Sequence, residues 1–378
     1  MADKEKKFIY SEEMEQYSYP PTCPFKTHRG AETKKILKSM SLLTGPDREV
    51  IAPVPTDKEG LMKYHGKEYI DNLEQVSCGN YEEHFLHFGL GTGDCPAFKG
   101  VLDHALWTAG ATITAARLIN EGKAKIAFNP SGGFHHAGAD YASGFCYVND
   151  VVLGCMELTD AGKRVFYLDI DVHHGDGVQN AFCTRNDVMT VSLHQSGQTL
   201  FPGTGFPKDV GAGDGKGYSV NVPLPPGTYD ETYLKAVDRI VLPLIEFYKP
   251  DCFVVEIGAD ALAGDPLANL NLTNNTYADV IERLLKFDKP ILAVGGGGYD
   301  VENTVRAWAL CWASLCGDDT MEHETLGLGG VMLENTEWQG GLRDTPITVE
   351  PEIIHTIEPI IDEVIRQVKK NIFKIHGI

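Results

Sequence analysis

Five ionisable side chains fall within the eight residues Asp169–Asp176, which read Asp-Ile-Asp-Val-His-His-Gly-Asp. The segment closes the apolar run Val165–Leu168, whose β-branched and aromatic side chains predict a buried strand. Because alternate residues of a strand point to the same face, Asp169, Asp171 and His173 are expected to project together. Two carboxylates and an imidazole at a strand end predict a metal site, whereas a lone Asp-x-His would favour a polar strand terminus with satisfied histidines.

A second cluster of titratable side chains follows another predicted strand, Ile126–Phe128. His135 and His136 are adjacent there. Because histidine titrates near neutral pH, the pair could supply a general acid and a general base. The same two side chains could instead be metal ligands or capping groups.

Asp260 supplies a carboxylate after a third apolar strand, predicted at Phe253–Gly258. Together with Asp171 and His173 it would give two carboxylates and one imidazole. Catalytic zinc is held by three protein ligands, so this set would leave coordination open for water and substrate.

Tyr299 follows Gly295–Gly298, a run of four glycines after a further apolar strand. The run could cradle a phosphate, but it lacks the Gly-x-Gly-x-x-Gly and Gly-Lys-Ser/Thr patterns. Tyr299 and Asp300 also stand where phosphate-binding loops need small residues. We therefore interpret the run as a loop poor in side chains that lets a tyrosine approach a closed site.

All four clusters follow strands of one alternating pattern, which extends from about Lys125 to Trp312. Short apolar strands separated by longer amphipathic helices predict a mostly parallel sheet covered on both faces. Ligands bind beyond the carboxyl ends of such strands, where the clusters would meet. The predicted strands are Ile126–Phe128, Val165–Asp171, Met189–His194, Phe253–Gly258 and Ile291–Gly295. The predicted helices are Val148–Thr159, Tyr229–Tyr248, Tyr277–Phe287 and Val301–Leu315.

Both ends of the chain carry further helical patterns, predicted at Ala31–Leu43 and Ala105–Asn120 near the amino terminus. At the carboxyl end, apolar residues are spaced for an amphipathic helix despite Pro359. These residues are Ile353, Ile354, Ile357, Ile360, Ile361, Val364, Ile365 and Val368. We see no internal repeat and no convincing linker. Residues 1–378 are therefore predicted to form a single domain, with a catalytic core at about 10–316 and a helical extension, 317–378, packed on it.

Composition narrows the class of protein. The chain has 378 residues, 43% of them hydrophobic and 23% charged, which suits a large globular domain. Its formal net charge of −20 repels phosphate backbones, so no direct nucleic-acid partner is expected. The charge would favour cationic partners such as lysine-rich segments or polyamines, or it could serve solubility alone.

The cysteines and the amino terminus bear on the cellular compartment. Nine cysteines, an odd number scattered through the chain, are typical of a reduced protein. The charged stretch Met1–Lys7 does not resemble a signal peptide, and no apolar run approaches the ~20 residues that a membrane helix needs. The sequence therefore predicts a cytoplasmic protein without a membrane partner.

Six motifs in order resemble the zinc-dependent histone deacetylase family, over about Tyr10 to Trp312. They are Gly132-Gly133-x-His135-His136-Ala137, Gly144-Phe145-Cys146-Tyr147-Val148-Asn149-Asp150, Asp169-x-Asp171-x-His173-His174-Gly175-Asp176-Gly177, Phe201-Pro202-Gly203-Thr204-Gly205, Gly258-Ala259-Asp260 and Gly296-Gly297-Gly298-Tyr299. The resemblance implies a three-layer α/β/α fold of the arginase/deacetylase type with a central, mostly parallel sheet. The chain length looks most like the bacterial acetoin-utilization branch, which is similar to class I enzymes.

The resemblance also implies the metal sites. A single catalytic Zn²⁺ would be held by Asp171, His173 and Asp260, and Fe²⁺ would suit the same ligands. A structural monovalent cation, K⁺, would be held partly through backbone carbonyls. The residues implied for K⁺ are Asp169, Asp171, His173, Ser192 and Leu193.

The family's catalytic groups map onto five side chains. His135 and His136 match the tandem histidines, which Asp169 and Asp176 respectively would orient. Tyr299 matches the tyrosine that binds the substrate carbonyl, where it would donate a hydrogen bond to the oxyanion.

A tunnel for the acyl-lysine side chain is implied as well. Phe145 and Phe201 match its aromatic walls, with Gly144 beside them. Asp94 matches the rim aspartate that grips the substrate backbone, and Arg29 matches the arginine lining an internal acetate exit.

Three positions depart from the family pattern or vary within it, and they leave the acyl-chain preference open. Phe134 is expected at the rim, Gln195 stands where many class I members have lysine, and Leu267 is expected to line the mouth.

The resulting prediction is a protein-lysine deacetylase. It would hydrolyse N-ε-acetyl-lysine to lysine and acetate through a metal-activated water. Its substrates would be acetylated cytoplasmic proteins, with acyl-CoA synthetases suggested by the acetoin branch.

Three alternatives stay open at this point, and a fourth is disfavoured. The enzyme could act on acetylpolyamines or on other acyl-lysines, or the chain could be a catalytically silent binding scaffold. An arginase-like binuclear hydrolase is disfavoured because Asp260-Ala261-Leu262 lacks the extra carboxylate that a second metal needs.

Overall fold

The computed structural model describes residues 5–318 and 341–378. Residues 1–4 of the charged amino terminus and residues 319–340 of the predicted extension lie outside these ranges. The described chain builds an eight-stranded sheet in which every neighbouring pair of strands is parallel. The strands are β1 (Lys6–Ile9), β2 (Arg48–Ile51), β3 (Ile126–Asn129), β4 (Val165–Asp169), β5 (Val188–Gln195), β6 (Ser219–Leu224), β7 (Cys252–Glu256) and β8 (Ile291–Val294). Their order across the sheet is β2-β1-β3-β8-β7-β4-β5-β6.

Helices connect and cover these strands. The α-helices are α1 (Arg29–Ser39), α2 (Lys58–Leu61), α3 (Lys67–Ser77), α4 (Val101–Asn120), α5 (Asp150–Asp160), α6 (Asp176–Phe182), α7 (Asp230–Ala236), α8 (Leu242–Tyr248), α9 (Asn274–Leu285), α10 (Val301–Cys316), α11 (Pro351–Val368) and α12 (Lys374–His376). Short 3₁₀ segments lie at Glu12–Glu15, Glu83–Phe88, Gly213–Gly215 and Ala259–Ala261, and π-helical turns lie at Val237–Val241 and Lys369–Phe373. Within the described ranges, no helix is long and apolar enough to cross a bilayer.

Both faces of the sheet are buried, because successive side chains of each strand enter opposite cores. Along β7, Phe253 and Val255 pack with α1 and α7–α11, whereas Val254 packs with α4, α5 and α6. This arrangement confirms the predicted three-layer α/β class, and the sheet is wholly rather than mostly parallel.

Three strands, β1, β2 and β6, were missing from the sequence prediction. The first two carry charged side chains that neutralise each other across the sheet, as in the ion pair between Lys7 and Glu49. Strand β6 contains Asn221 and Pro223 and lies at the edge of the sheet, where a proline costs no ladder hydrogen bond. A single strand read alone reveals neither its partner's charge nor its place at an edge.

The helix predicted at Tyr229–Tyr248 is interrupted. It consists of α7, the π-helical turn Val237–Val241 and α8 in direct succession. Pro243 lies in the first turn of α8 and has no backbone N–H to donate, so the regular ladder cannot continue through it. The other predicted helices each overlap an observed one.

The carboxyl-terminal helix α11 continues through Pro359 over 18 residues. Its apolar stripe packs against β6 and α7. Ile357, Ile361 and Ile365 are buried in the larger core, which is the one that contains Phe253 and Val255 of β7. Pro359 is on the exposed side, so the carbonyl that it leaves without a donor can reach water.

Candidate active site

Four adjacent strands deliver the four clusters of the sequence to one edge of the sheet. In the order β3-β8-β7-β4, the segments that follow them carry His135 and His136, then Tyr299, then Asp260, then Asp171 with His173. Parallel neighbours end at the same edge, so side chains up to 164 residues apart in sequence become close neighbours.

Strand β4 ends two residues earlier than predicted, at Asp169 rather than Asp171. The Asp169 carboxylate accepts the backbone N–H of Asp171 at 3.1 Å, and the Asp171 carboxylate accepts that of His173 at 2.8 Å. These hydrogen bonds take the place of the hydrogen bonds between strands, and they direct the backbone out of the strand. The prediction that Asp169, Asp171 and His173 share one strand face is therefore wrong, because Asp169 joins a different cluster.

Asp171, His173 and Asp260 bring three ligand atoms together within 4.8 Å. His173 Nδ1 lies 3.2 Å from Asp171 Oδ1 and 3.0 Å from Asp260 Oδ2. A tetrahedral ion with bonds of about 2.1 Å would hold its ligand atoms roughly 3.4 Å apart. The spacing of the cluster therefore fits a small divalent cation.

Backbone N–H groups hold the other oxygen of each carboxylate. Gly297 donates to Asp171 Oδ2 at 2.7 Å, and Val172 donates to Asp260 Oδ1 at 2.9 Å. A Cβ at Gly297 would lie 1.9 Å from Asp260 Oδ2, so glycine is required for this approach. The carboxylates are thus oriented before any ligand binds.

The charges of the cluster also favour a cation. Burial alone would lower the pKa of His173, but its hydrogen bonds to Asp171 and Asp260 outweigh burial and raise that pKa to about 10. Burial, reinforced by the nearby Asp171, raises the pKa of Asp260 to about 7. A divalent ion would supply the positive charge that an imidazolium otherwise provides, so the donor set fits a metal.

His135 and His136 face each other through their Nε2 atoms, 3.0 Å apart. Their Nδ1 atoms lie 2.9 Å from Asp169 Oδ2 and 2.8 Å from Asp176 Oδ1 respectively. Burial and the neighbouring His135 lower the pKa of His136 to about 4, against the influence of Asp176. Burial also opposes charge on His135, but the carboxylates around the ring, Asp169 among them, outweigh burial and raise the pKa of His135 well above the usual value. One histidine is suited to accept a proton and the other to hold one.

The loop that carries Tyr299 is held from two sides. Asp265 accepts the backbone N–H of Tyr299 at 2.8 Å, and the Arg29 guanidinium donates to the carbonyls of Gly298 and Gly296 at 2.8 and 2.9 Å. The Tyr299 ring stands edge-on to His173, with centroids 6.4 Å apart. Burial raises the pKa of the Tyr299 hydroxyl well above its usual value, so the group is a proton donor rather than a phenolate.

Arg29 also lines a narrow internal cavity beneath this loop, together with His104, Ser131 and Phe134. Phe134 was expected at the rim but is buried, because its ring packs against Phe25 and His104 inside the molecule.

Aromatic side chains border the space above the metal-ligand cluster. Phe201 is 44% exposed and packs edge-on to His136 with ring centroids 5.0 Å apart, while Phe145 packs on Tyr299 at 5.7 Å. A Cβ at Gly144 would meet His136 at 2.5 Å and Phe201 at 2.9 Å, so only glycine fits between them.

Three further predicted site residues lie around this centre. Asp94 Oδ2 accepts the backbone N–H of Gly144 at 2.8 Å and so ties the outer loop to the aromatic wall. Ser192 lies beside Asp169 in the sheet register, with its hydroxyl 2.8 Å from His194 Nδ1. Leu193 is buried in the larger core, on the face opposite Ser192.

Leu267 is half-buried, and its backbone N–H donates to Asp265 at 2.9 Å. The same aspartate accepts from Tyr299, so Leu267 is connected to the tyrosine loop through Asp265. The place of Leu267 at the mouth stays a prediction.

Sequence reasoning missed three polar residues that touch these clusters: Tyr167, Glu256 and Asp265. Tyr167 and Glu256 lie inside strands that were interpreted only as apolar runs. The sequence did contain one signal, which is the glutamate that follows the apolar run Cys252–Val255. Asp265 is in a loop that gave no pattern.

Comparison with known proteins places this geometry in a family. A family model described as a histone deacetylase domain matches residues 23–315. Histone deacetylase clr6 of Schizosaccharomyces pombe is 39% identical over 323 residues, which cover 85% of this chain and 79% of that protein. Histone deacetylase 8 of Xenopus tropicalis is 40% identical over 291 residues, covering 76% of this chain and 78% of the relative. A crystal structure of an HDAC homolog complexed with SAHA matches with a TM-score of 0.88 and 28% identity, covering 97% of this chain and 100% of that one.

The chain belongs to the histone deacetylase family. It is an enzyme of the histone deacetylase type with the arginase/deacetylase-like α/β fold, and membership implies lysine deacetylase activity. The family is metal-dependent, usually with zinc, and the described residues offer candidate groups for the ion.

Proposed function

We propose that this chain is a zinc-dependent protein-lysine deacetylase that hydrolyses N-ε-acetyl-lysine to lysine and acetate. One observation carries the proposal. A three-ligand cluster, a facing pair of histidines and a half-buried tyrosine converge where four neighbouring strands end. Amide hydrolysis needs an activated water, a polarised carbonyl and a proton for the leaving amine, and these groups can meet all three needs.

Asp171, His173 and Asp260 would hold the ion. When bound, Zn²⁺ lowers the pKa of a water from ~15.7 towards ~7 and polarises the substrate carbonyl. Fe²⁺ suits the same Asp/His/Asp set. The Tyr299 hydroxyl donates a hydrogen bond to the oxygen of the carbonyl as negative charge develops on it.

The paired histidines divide the proton transfers. His136 has one carboxylate partner, Asp176, and favours its neutral form, so it accepts the proton of the attacking water. The Nδ1 atom of His135 lies 2.9 Å from the carboxylate of Asp169, which favours the charged form of the ring. The charged ring stabilises the developing transition state, and the proton held by the pair goes to the leaving lysine amine.

Substrate binding falls to the residues above this centre. Phe145 and Phe201 would flank the four methylenes of the lysine side chain, with Gly144 keeping the passage open. Asp94 would accept hydrogen bonds from the substrate backbone at the rim. Leu267 would line the mouth.

Two further sites belong to the proposal. Acetate would leave through the internal cavity beside Arg29, whose guanidinium suits a carboxylate. K⁺ would bind near the end of β4 and β5, held by Asp169, Asp171, His173, Ser192 and Leu193.

The finer assignment follows from the same resemblance. We propose acetylated cytoplasmic proteins as substrates, with acyl-CoA synthetases as candidates in keeping with the acetoin-utilization branch. The relatives named above are eukaryotic, so the branch stays a prediction. A single domain spanning 1–378 with a packed extension is part of this proposal.

The test is a matched substrate panel on protein stripped with a chelator and reconstituted with Zn²⁺ or Fe²⁺. We expect an acetyl-lysine peptide to be hydrolysed faster than acetylputrescine, and longer acyl-lysines to be slower. Preference for acetylputrescine would make the chain an acetylpolyamine amidohydrolase. Absence of any hydrolysis after reconstitution would indicate a binding scaffold, and two tightly bound Mn²⁺ per chain would indicate arginase-like chemistry.

A further inference from the structure

Glu256 is a buried acid that the catalytic scheme does not require. It is the last residue of β7, it has no exposed surface, and it lies directly opposite Asp169 in the register of the sheet. Its carboxyl group shares a sealed pocket with Tyr167, Asp169 and His135. Two carboxylates and one imidazole in such a pocket require a definite arrangement of protons.

Asp169 is the carboxylate that these neighbours satisfy. Its Oδ1 accepts the backbone N–H of Asp171 at 3.1 Å. Its Oδ2 accepts the Nδ1–H of His135 at 2.9 Å and lies 2.7 Å from the Tyr167 hydroxyl. Three donors around two oxygens match an ionised carboxylate, which accepts only.

Glu256 has the opposite environment. Its Oε2 lies 2.8 Å from the Tyr167 hydroxyl, whereas its Oε1 has no hydrogen-bond partner in the described part of the chain. Oε1 is 3.1 Å from His135 Nδ1, but the N–H of that ring is directed at Asp169. An ionised glutamate would therefore be buried with no assured donor, which is strongly unfavourable.

The Tyr167 hydroxyl has a single hydrogen, yet it lies within hydrogen-bond distance of both carboxyl groups. If it donates to Asp169, its oxygen can still accept one hydrogen bond. Among residues 5–318 and 341–378, Glu256 is the group placed to donate that bond, and it can do so only through a protonated Oε2. Counting protons thus gives one consistent series of hydrogen bonds, which runs from Glu256 through Tyr167 to Asp169 and His135.

We propose that Glu256 is a positioning residue, which is held as a neutral acid and donates a hydrogen bond to Tyr167, so that Tyr167 in turn donates to Asp169 and fixes its orientation toward His135. This inference deepens the proposed function and rests on it for its kinetic consequences. Glu256 is not among the three proposed zinc ligands, and it acts through Tyr167 on Asp169 and His135.

The charged groups that surround Glu256 agree with a neutral state. The ionisable groups around Glu256 are His135, Asp169, Asp171 and Asp150. These neighbours come from the segment after β3, from β4 and its following turn, and from α5. Three of them are carboxylates, which disfavour another negative charge.

The test compares Glu256→Gln with Glu256→Leu in the metal-loaded protein. The amide of Gln can donate to Tyr167 as a neutral acid does, so we expect kcat to fall by less than about tenfold, with an unchanged pH profile. Leu cannot donate, so we expect kcat to fall about 10- to 100-fold with KM unchanged, because the group does not touch substrate. Tyr167→Phe interrupts the same series of hydrogen bonds. The double variant Tyr167→Phe with Glu256→Leu should therefore lose no more kcat than the worse of the two single variants.

Several outcomes would overturn the proposal. An equal loss for Glu256→Gln and Glu256→Leu, or a shifted pH profile in Glu256→Gln, would show that an anion is needed. Folded Glu256→Leu with wild-type kcat would remove the positioning role, and additive losses in the double variant would remove the link through Tyr167.

An activity-independent readout separates this inference from the proposed function. Infrared difference spectra of wild type against Glu256→Gln should contain the carbonyl stretch of a protonated carboxyl, shifted in D₂O. Absence of that band refutes the neutral acid even in an active enzyme. Its presence in a protein that hydrolyses no acetyl-lysine would refute the proposed function alone.

Discussion

Hydrogen bonds from the backbone orient the two carboxylates that we propose as metal ligands. Asp171 and Asp260 each have one oxygen held by a main-chain N–H and the other turned toward His173. Each carboxylate therefore loses little rotational freedom when a ligand binds, and the cost of ordering falls on folding instead. The Tyr299 loop is likewise ordered before substrate binds, because Asp265 accepts the backbone N–H of Tyr299.

Replacing Tyr299 with Phe should remove the oxyanion donor and nothing else. We expect kcat on an acetyl-lysine peptide to fall about 10²- to 10³-fold, since that is the usual cost of losing one such donor. Metal content should stay at one ion per chain, because the hydroxyl is not among the three converging ligand atoms. Turnover and metal analysis on the same sample check both parts.

Tyr81→Phe is the matched control, because the Tyr81 side chain is exposed and outside the four clusters. It should keep wild-type kcat. Near wild-type turnover in Tyr299→Phe would refute the oxyanion role.

Residues whose chemistry is unusual for their surroundings could be predicted from the sequence. Adjacent histidines after a strand, or a tyrosine behind four glycines, are conspicuous in one dimension. Glu256 and Tyr167 were missed because their importance lies in the register between β4 and β7, which places Glu256 opposite Asp169. Pairing between strands that are 87 residues apart at these positions leaves no local trace.

At the scale of elements, strand ends and glycine loops determine the site more than the helices do. The strands that carry the clusters were predicted because they are apolar throughout, as strands buried on both faces must be. Strands β1, β2 and β6 break that rule through paired charges or an edge position. The early end of β4 was missed because side-chain bonds from Asp169 and Asp171 override strand propensity.

Gly297→Ala tests the close approach of the loop after β8 to the ligand cluster. An added Cβ would lie 1.9 Å from Asp260 Oδ2, so the carboxylate must move. We expect metal affinity to fall about 10- to 100-fold, measured by competition with a chelator.

Gly93→Ala is the matched control, since a Cβ there would meet nothing within 4 Å in the described part of the chain. Equal affinities for the two variants would mean that the loop yields and that the glycine is not needed for metal binding.

Helix α4 contributes a buried base that should make the fold sensitive to acid. Burial lowers the pKa of His104 to about 4, partly offset by the Met14 backbone. In the unfolded chain His104 has its ordinary pKa near 6.5, so it binds a proton there at a pH where the folded protein keeps it neutral. The contribution of His104 to the free energy of unfolding is therefore complete above pH 6.5 and is lost as the pH falls toward 4. At pH 5 the loss relative to pH 8 is about 2 kcal/mol.

His104→Leu should remove that component. Urea unfolding at pH 8 and pH 5 would measure it, and the difference in unfolding free energy between the two pH values should be about 2 kcal/mol smaller in the variant. An unchanged difference would mean that His104 is not held neutral in the folded state.

At the scale of the whole molecule, α11 closes the side of the sheet that β6 leaves open. Its buried isoleucines belong to the same core as the strands β4, β5 and β7. Ile361→Ala should therefore reduce the free energy of unfolding of the whole protein by about 2–5 kcal/mol, as expected for a large-to-small change in a core.

The neighbouring Ile360, which is 43% exposed, provides the comparison within the same helix. Ile360→Ala should change the free energy of unfolding by no more than about 0.5 kcal/mol. Both changes in the free energy of unfolding would be measured by urea denaturation followed by circular dichroism. Equal and small effects would show that the extension is an appendage rather than part of one domain.

The strand order also governs when a newly made chain can mature. The sheet is built from a first group, β2-β1-β3, and a later group, β7-β4-β5-β6, and β8 joins them by pairing with β3 on one side and β7 on the other. Until residues 291–294 have left the ribosome, no strand bridges β3, which precedes the paired histidines, and β7, which precedes Asp260. We therefore expect a nascent chain without β8 to lack an assembled hydrolytic centre, so that activity depends on the emergence of this strand.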